Sequence, residues 1–122
     1  MDQRSLSQFK QLFLEGLRQR YPHRECLNLW DEYQHFYTGY NRAEQVLNGQ
    51  KSMDWPKFSQ DLEALQTGKP LQYVLGEAYF CGMHLKVSPA ALIPRPETEE
   101  LVHWIQSDFQ GKANRILDIG TG

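Results

Sequence analysis

Four apolar stripes of helical period, each closed by a helix-breaking residue, fill the first half of the chain and leave it few choices of fold. Between Ser5 and Arg20, the residues Leu6, Phe9, Phe13 and Leu17 recur at steps of three and four, so a helix gathers them on one face. Pro22 interrupts that run and opens the next, where Cys26, Leu29, Trp30, Tyr33 and Tyr37 keep the same period as far as Gly39. Asn41 followed by Glu44 has the spacing of a capping box for a short helix through Ala43, Val46 and Leu47, which Asn48-Gly49 stops. A fourth helix starts between Asp54 and Pro56, carries Trp55, Phe58, Leu62 and Leu65, and ends at Gly68. Each stripe must be covered by another and the connections are short, which predicts a compact helical bundle. The aromatic residues Phe9, Phe13, Trp30, Tyr33, Phe36, Trp55 and Phe58 have the spacing of a packed core rather than of a ligand pocket.

After Gly68 the character changes. Pro70 to Leu75 reads as a last short helix or turn closed by Gly76. Tyr79-Phe80-Cys81 and His84-Leu85-Lys86-Val87 read as two strands about the pair Gly82-Met83, with glycine supplying the positive φ of a type II′ turn. Leu85 and Val87 alternate with His84 and Lys86, as in a ribbon with one covered face. A two-stranded ribbon is marginal alone, so it is expected to bridge larger bodies. A helix begins at Pro96, with Glu97, Glu99 and Glu100 at the positive end of its dipole and Leu101, Trp104, Ile105 and Phe109 inward. Beyond the polar stretch Gln110 to Asn114, the run Ile116-Leu117-Asp118-Ile119 reads as a strand covered on both faces, running into Gly120-Thr121-Gly122.

Composition narrows the function classes. With 122 residues, 40% hydrophobic and 23% charged, the chain has room for one small globular domain, or one and part of another. A net charge of -2, with Lys and Arg dispersed, argues against direct binding to a nucleic-acid backbone. No apolar run reaches bilayer length, and Met1-Asp2-Gln3-Arg4 is unlike a secretory signal, so a cytoplasmic protein with no membrane partner is expected. Cys26 and Cys81 are expected as reduced thiols. The four histidines show no ligand spacing, so no metal site is expected.

Two stretches could carry chemistry. In Asp118-Ile119-Gly120-Thr121-Gly122 a strand feeds a glycine-rich turn, which suits either close backbone approach to a cofactor or an ordinary tight turn. In Leu92-Ile93-Pro94-Arg95-Pro96-Glu97-Thr98-Glu99, two prolines restrict the backbone around an arginine. That is either a binding corner or a rigid helix start with a solvated guanidinium. No paired carboxylates, Ser-His-Asp set or nucleophilic cysteine supplies another catalytic centre.

Taken in order, Gly68-Lys69-Pro70-Leu71-Gln72-Tyr73-Val74-Leu75-Gly76, Phe80-x-Gly82, Leu85-x-Val87, the Pro94-to-Glu99 motif and Ile116 to Gly122 resemble the release-factor glutamine methyltransferases. The match is close over residues 68–122; residues 1–67 are similar only in helical architecture. The resemblance implies a mainly α chain: a helical domain at 1–75, a β-hairpin linker at 76–93, and at 94–122 the first helix and strand of a Rossmann-like α/β methyltransferase domain. It implies S-adenosylmethionine as cofactor and class I peptide chain release factors as partners, methylated on the side-chain amide of the glutamine in Gly-Gly-Gln. It assigns Gly120, Thr121 and Gly122 to the cofactor loop, and Leu92, Pro94, Arg95, Pro96, Glu97 and Thr98 to the border of the cofactor and glutamine pocket. The family's Asn-Pro-Pro-Tyr motif has no counterpart here, so a truncated, inactive piece with no catalytic residue is expected, in which Leu101, Ile105, Ile116 and Ile119 lack their sheet and are either exposed or buried against another chain. The rivals are a related methyltransferase acting on another amide or a nucleic-acid amine, and a module that only binds protein.

Overall fold

The computed structural model describes residues 4–112 and 115–121. The chain divides into two compact units, Met1–Gly76 and Glu77–Gly122.

The first unit is the helical bundle. It contains α1 (Leu6–Leu17), α2 (His23–Thr38), α3 (Arg42–Leu47), α4 (Trp55–Gln66) and α5 (Leu71–Leu75). Each boundary has a local cause. Ser5 opens α1 with a capping box: its Oγ accepts from Gln8 N at 3.3 Å, and its own N–H donates to Gln8 Oε1 at 2.8 Å. Asn41 and Glu44 do the same for α3, as their spacing implies. Pro22 precedes the first turn of α2, and Gly39 closes that helix with a φ of 75° that lets its N–H reach His35 O.

The stripes pack on one another: α1 lies against α2 and α4, and α5 joins α2 and α4. Leu6, Phe9, Phe13, Leu17, Cys26, Trp30, Tyr33, Phe58, Leu65 and Leu71 form the buried core. Phe13 is central, with ring centroids 5.4 Å from Trp30 and 5.3 Å from Tyr33, while Phe9 meets Phe58 edge-on at 4.8 Å. Removing such a ring costs about 3–5 kcal/mol, a large part of a small domain's stability.

Four large residues expected in the stripes or the packed core are exposed, Tyr37 at 38% among them. Phe36 is 41% exposed and meets the Tyr37 ring edge-on at 5.0 Å. Val46 and Leu47 are more than four-fifths exposed, because α3 buries no residue. Polar contacts hold that helix instead. Trp30 Nε1 donates to Gln45 Oε1 at 2.9 Å, Asp31 accepts from Gln45 Nε2 and pairs with Arg42, and Ser7 N donates to Gly49 O.

The second unit holds a hairpin and one helix. β1 (Glu77–Phe80) pairs antiparallel with β2 (Met83–Lys86), in the register Ala78 opposite Leu85 and Phe80 opposite Met83. The turn is therefore Cys81-Gly82, one residue earlier than expected. Both residues have positive φ, 49° and 77°, which makes it the I′ type rather than II′. α6 (Pro96–Phe109) starts on its proline, as expected. Its inward face is not covered: Leu101, Trp104, Ile105 and Phe109 are half to two-thirds exposed. Ile116 to Ile119 is not a strand. A strand needs a neighbour for its N–H and C=O groups, and no described residue pairs with this run. Among the described residues no helix is long and apolar enough to cross a membrane.

Candidate functional site

The residues expected at the pocket border are held by α6 and its approach. Arg95 caps the helix with extended backbone, φ -99° and ψ 142°, the conformation that the following proline imposes. Pro96 takes the first helical position, where its missing N–H leaves no hydrogen bond unmade. Thr98 N donates to Arg95 O at 3.0 Å and closes the first turn. Pro94 is half-buried, whereas Leu92, Arg95, Pro96, Glu97 and Thr98 are exposed. The Arg95 guanidinium makes no ion pair among the described residues, so its charge is free for an anionic group.

Gly120 has a φ of 79°, and a Cβ placed on it would meet nothing within 4 Å. Thr121 is exposed beside it, and Gly122 lies outside the described residues. No hydrogen bond or ion pair joins Gly120 and Thr121 to Leu92–Thr98. Apart from half-buried Pro94, the residues assigned to the pocket that the structure describes are open to solvent.

The helical unit contains a polar cluster that periodicity did not reveal. Asp61, 3% exposed, accepts three hydrogen bonds: from Tyr33 at 2.9 Å, from Tyr37 at 2.7 Å and from Lys57 at 2.8 Å. Burial, and then the Asp61 charge and hydrogen bond, hold the Tyr33 and Tyr37 phenols protonated well above their ordinary range. The cluster borders a cleft of about 260 Å³ that Asp54, Ser52 and Thr38 also line. Every buried polar side-chain atom described has a partner, so the cluster ties α2 to α4 and leaves no group aimed at a ligand. One signal could have found it: Asp61 stands three residues after Phe58 and four before Leu65, on the buried stripe itself. Gln34, next to Tyr33, is buried for the same reason and donates to Tyr40 O at 2.7 Å.

Comparison with known proteins adds what geometry alone does not. No family model matches the chain. Over 67 residues it is 51% identical to the release factor glutamine methyltransferase of Streptococcus pneumoniae, covering 54% of this chain and 24% of that protein. Over 58 residues it is 53% identical to the protein of the same name from Bacteroides thetaiotaomicron, covering 48% and 20% respectively. Over about half of its length, this chain is similar to release factor glutamine methyltransferases. The protein of that name from Coxiella burnetii gives 50% identity over 56 residues, 45% of this chain and 20% of the relative. The chain matches about a quarter or less of the length of these release factor glutamine methyltransferases.

Proposed function

We propose that this chain supplies the helical domain (1–75), hairpin linker (76–93) and opening of the methyltransferase domain (94–122) of an enzyme that methylates class I peptide chain release factors. The acceptor in this reading is the side-chain amide nitrogen of the glutamine in Gly-Gly-Gln, and the donor is S-adenosylmethionine. The observation that carries it is the identity of about one residue in two to release factor glutamine methyltransferases.

The residues suit the donor in conformation. Gly120 adopts the left-handed backbone that glycine takes freely, with open space on its Cβ side, so a cofactor's amino-acid portion can come close to the main chain. Gly120, Thr121 and Gly122 would hold that portion, with Leu92 and Pro94 to Thr98 along its border. Bound S-adenosylmethionine supplies an electrophilic methyl group. Arg95, unpaired at the start of α6, offers a fixed positive charge to a carboxylate. An amide nitrogen is a weak nucleophile because its lone pair is delocalised, so the acceptor must be oriented and polarised by hydrogen bonds. No residue of this chain takes that role in the present reading.

The net charge of -2 favours a protein acceptor over nucleic acid, and a release factor acceptor locates the enzyme in the cytoplasm. The test offers a polypeptide containing this chain labelled S-adenosylmethionine with a release factor in one tube and nucleic acid in another. Label in the release factor is expected; label in the nucleic acid alone overturns the proposal.

A further inference from the structure

The hairpin turn has an amide that its own strands cannot use. In a two-residue turn the ladder consumes the groups of Phe80 and Met83 and leaves the N–H of the first central residue, Cys81, unpaired. Here that N–H points at the Glu99 carboxylate, with Oε1 at 3.4 Å, across 18 residues of sequence. Glu99 is half-buried while Glu97, Thr98 and Glu100 around it are exposed. It sits in the first turn of α6, where the helix dipole favours a negative charge. A second sign of the same proximity comes from the thiol: burial and then the Glu99 charge push Cys81 up.

We infer that Glu99 is a positioning residue, clasping the Cys81-Gly82 turn to the start of α6 and so fixing both ends of the segment that carries Leu92 to Thr98. The corner at Pro94-Arg95-Pro96 makes no hydrogen bond of its own to the hairpin, so its placement within this unit depends on what holds the segment's two ends. Two prolines stiffen the corner; Glu99 sets where the stiff piece points. The consequence for the methyl-donor pocket rests on the function proposed above, but the clasp itself does not.

The test uses two variants. Glu99→Ala removes the acceptor, and amide exchange at Cys81 is expected to speed up by about two- to tenfold, the range for losing one modest hydrogen bond. Glu99→Gln keeps a carbonyl oxygen in place of Oε1 and is expected to stay within about twofold of the parent. Unchanged exchange in Glu99→Ala, or equal acceleration in both variants, overturns the clasp. In a polypeptide long enough to bind S-adenosylmethionine, Glu99→Ala is expected to weaken donor binding and Glu99→Gln to restore it. Altered exchange with unaltered donor affinity overturns the positioning role. A parent that takes up no donor overturns the proposed function and leaves the clasp standing on its exchange data.

Discussion

Tyr33 of α2 donates its phenolic hydrogen to the Asp61 carboxylate of α4 at 2.9 Å, with both side chains almost wholly out of water. A carboxylate in that position is costly unless its lone pairs are filled, and Tyr37 and Lys57 fill the rest. Asp61→Ala would leave two phenols and an ammonium without their acceptor. It is expected to lower the unfolding free energy by about 3 kcal/mol in urea titration, against about 1 kcal/mol for Tyr37→Phe, which removes one donor and leaves the carboxylate its other two. Equal, small losses would show that the cluster is solvated.

The same pair sets a pH dependence. The unfolded chain releases phenolic protons near pH 10, whereas burial and Asp61 keep Tyr33 and Tyr37 protonated beyond that in the fold. Their contribution is therefore whole below about pH 10 and is lost as the pH climbs through the folded values. The thermal midpoint should hold steady up to about pH 9 and fall above pH 10, with Tyr33→Phe showing a shallower alkaline fall. A parent midpoint that does not fall above that pH counts against the phenol–carboxylate account.

At Gly68 two constraints coincide. Its φ of 92° is left-handed, and a Cβ there would run into the Arg20 guanidinium, whose Nη2 donates to Thr67 O at 3.2 Å. The arginine tip can move aside, but the backbone strain cannot be relieved. Gly68→Ala should cost about 1–2 kcal/mol by chemical denaturation. A neutral result would mean that the chain can take another turn there.

The helical half was legible because burial imposes a period on apolar residues, and Leu6, Phe9, Phe13 and Leu17 obey it without exception. What period reading missed is the polar residue that belongs inside, since Asp61 and Gln34 owe their burial to partners on other turns and helices. The hairpin turn was placed one residue late because glycine was expected first in the turn, whereas Cys81 takes that position with a φ of 49°. Ile116 to Ile119 has the composition of a central strand, but composition cannot supply the neighbouring backbone that makes one. At the proposed pocket, motif order only suggests the residues, and nothing in it indicated that Glu99 would reach back to Cys81.

Val46 and Leu47 offer a control on the same logic. Both are more than four-fifths exposed on a helix anchored through Gln45 and Asp31. Val46→Ser and Leu47→Ser should each change stability by less than about 0.5 kcal/mol, while Gln45→Ala, which strips the Trp30 indole of its acceptor, should cost about 1 kcal/mol. The reverse order in urea midpoints would place α3 in the core after all.

The central claim is tested most directly by locating the transferred methyl group. A polypeptide containing this chain is incubated with S-adenosylmethionine and a class I release factor, and the release factor is then sequenced by mass spectrometry. The account predicts one added methyl, on the glutamine of the Gly-Gly-Gln motif. An unmodified glutamine, or a methyl group found only elsewhere, would contradict it.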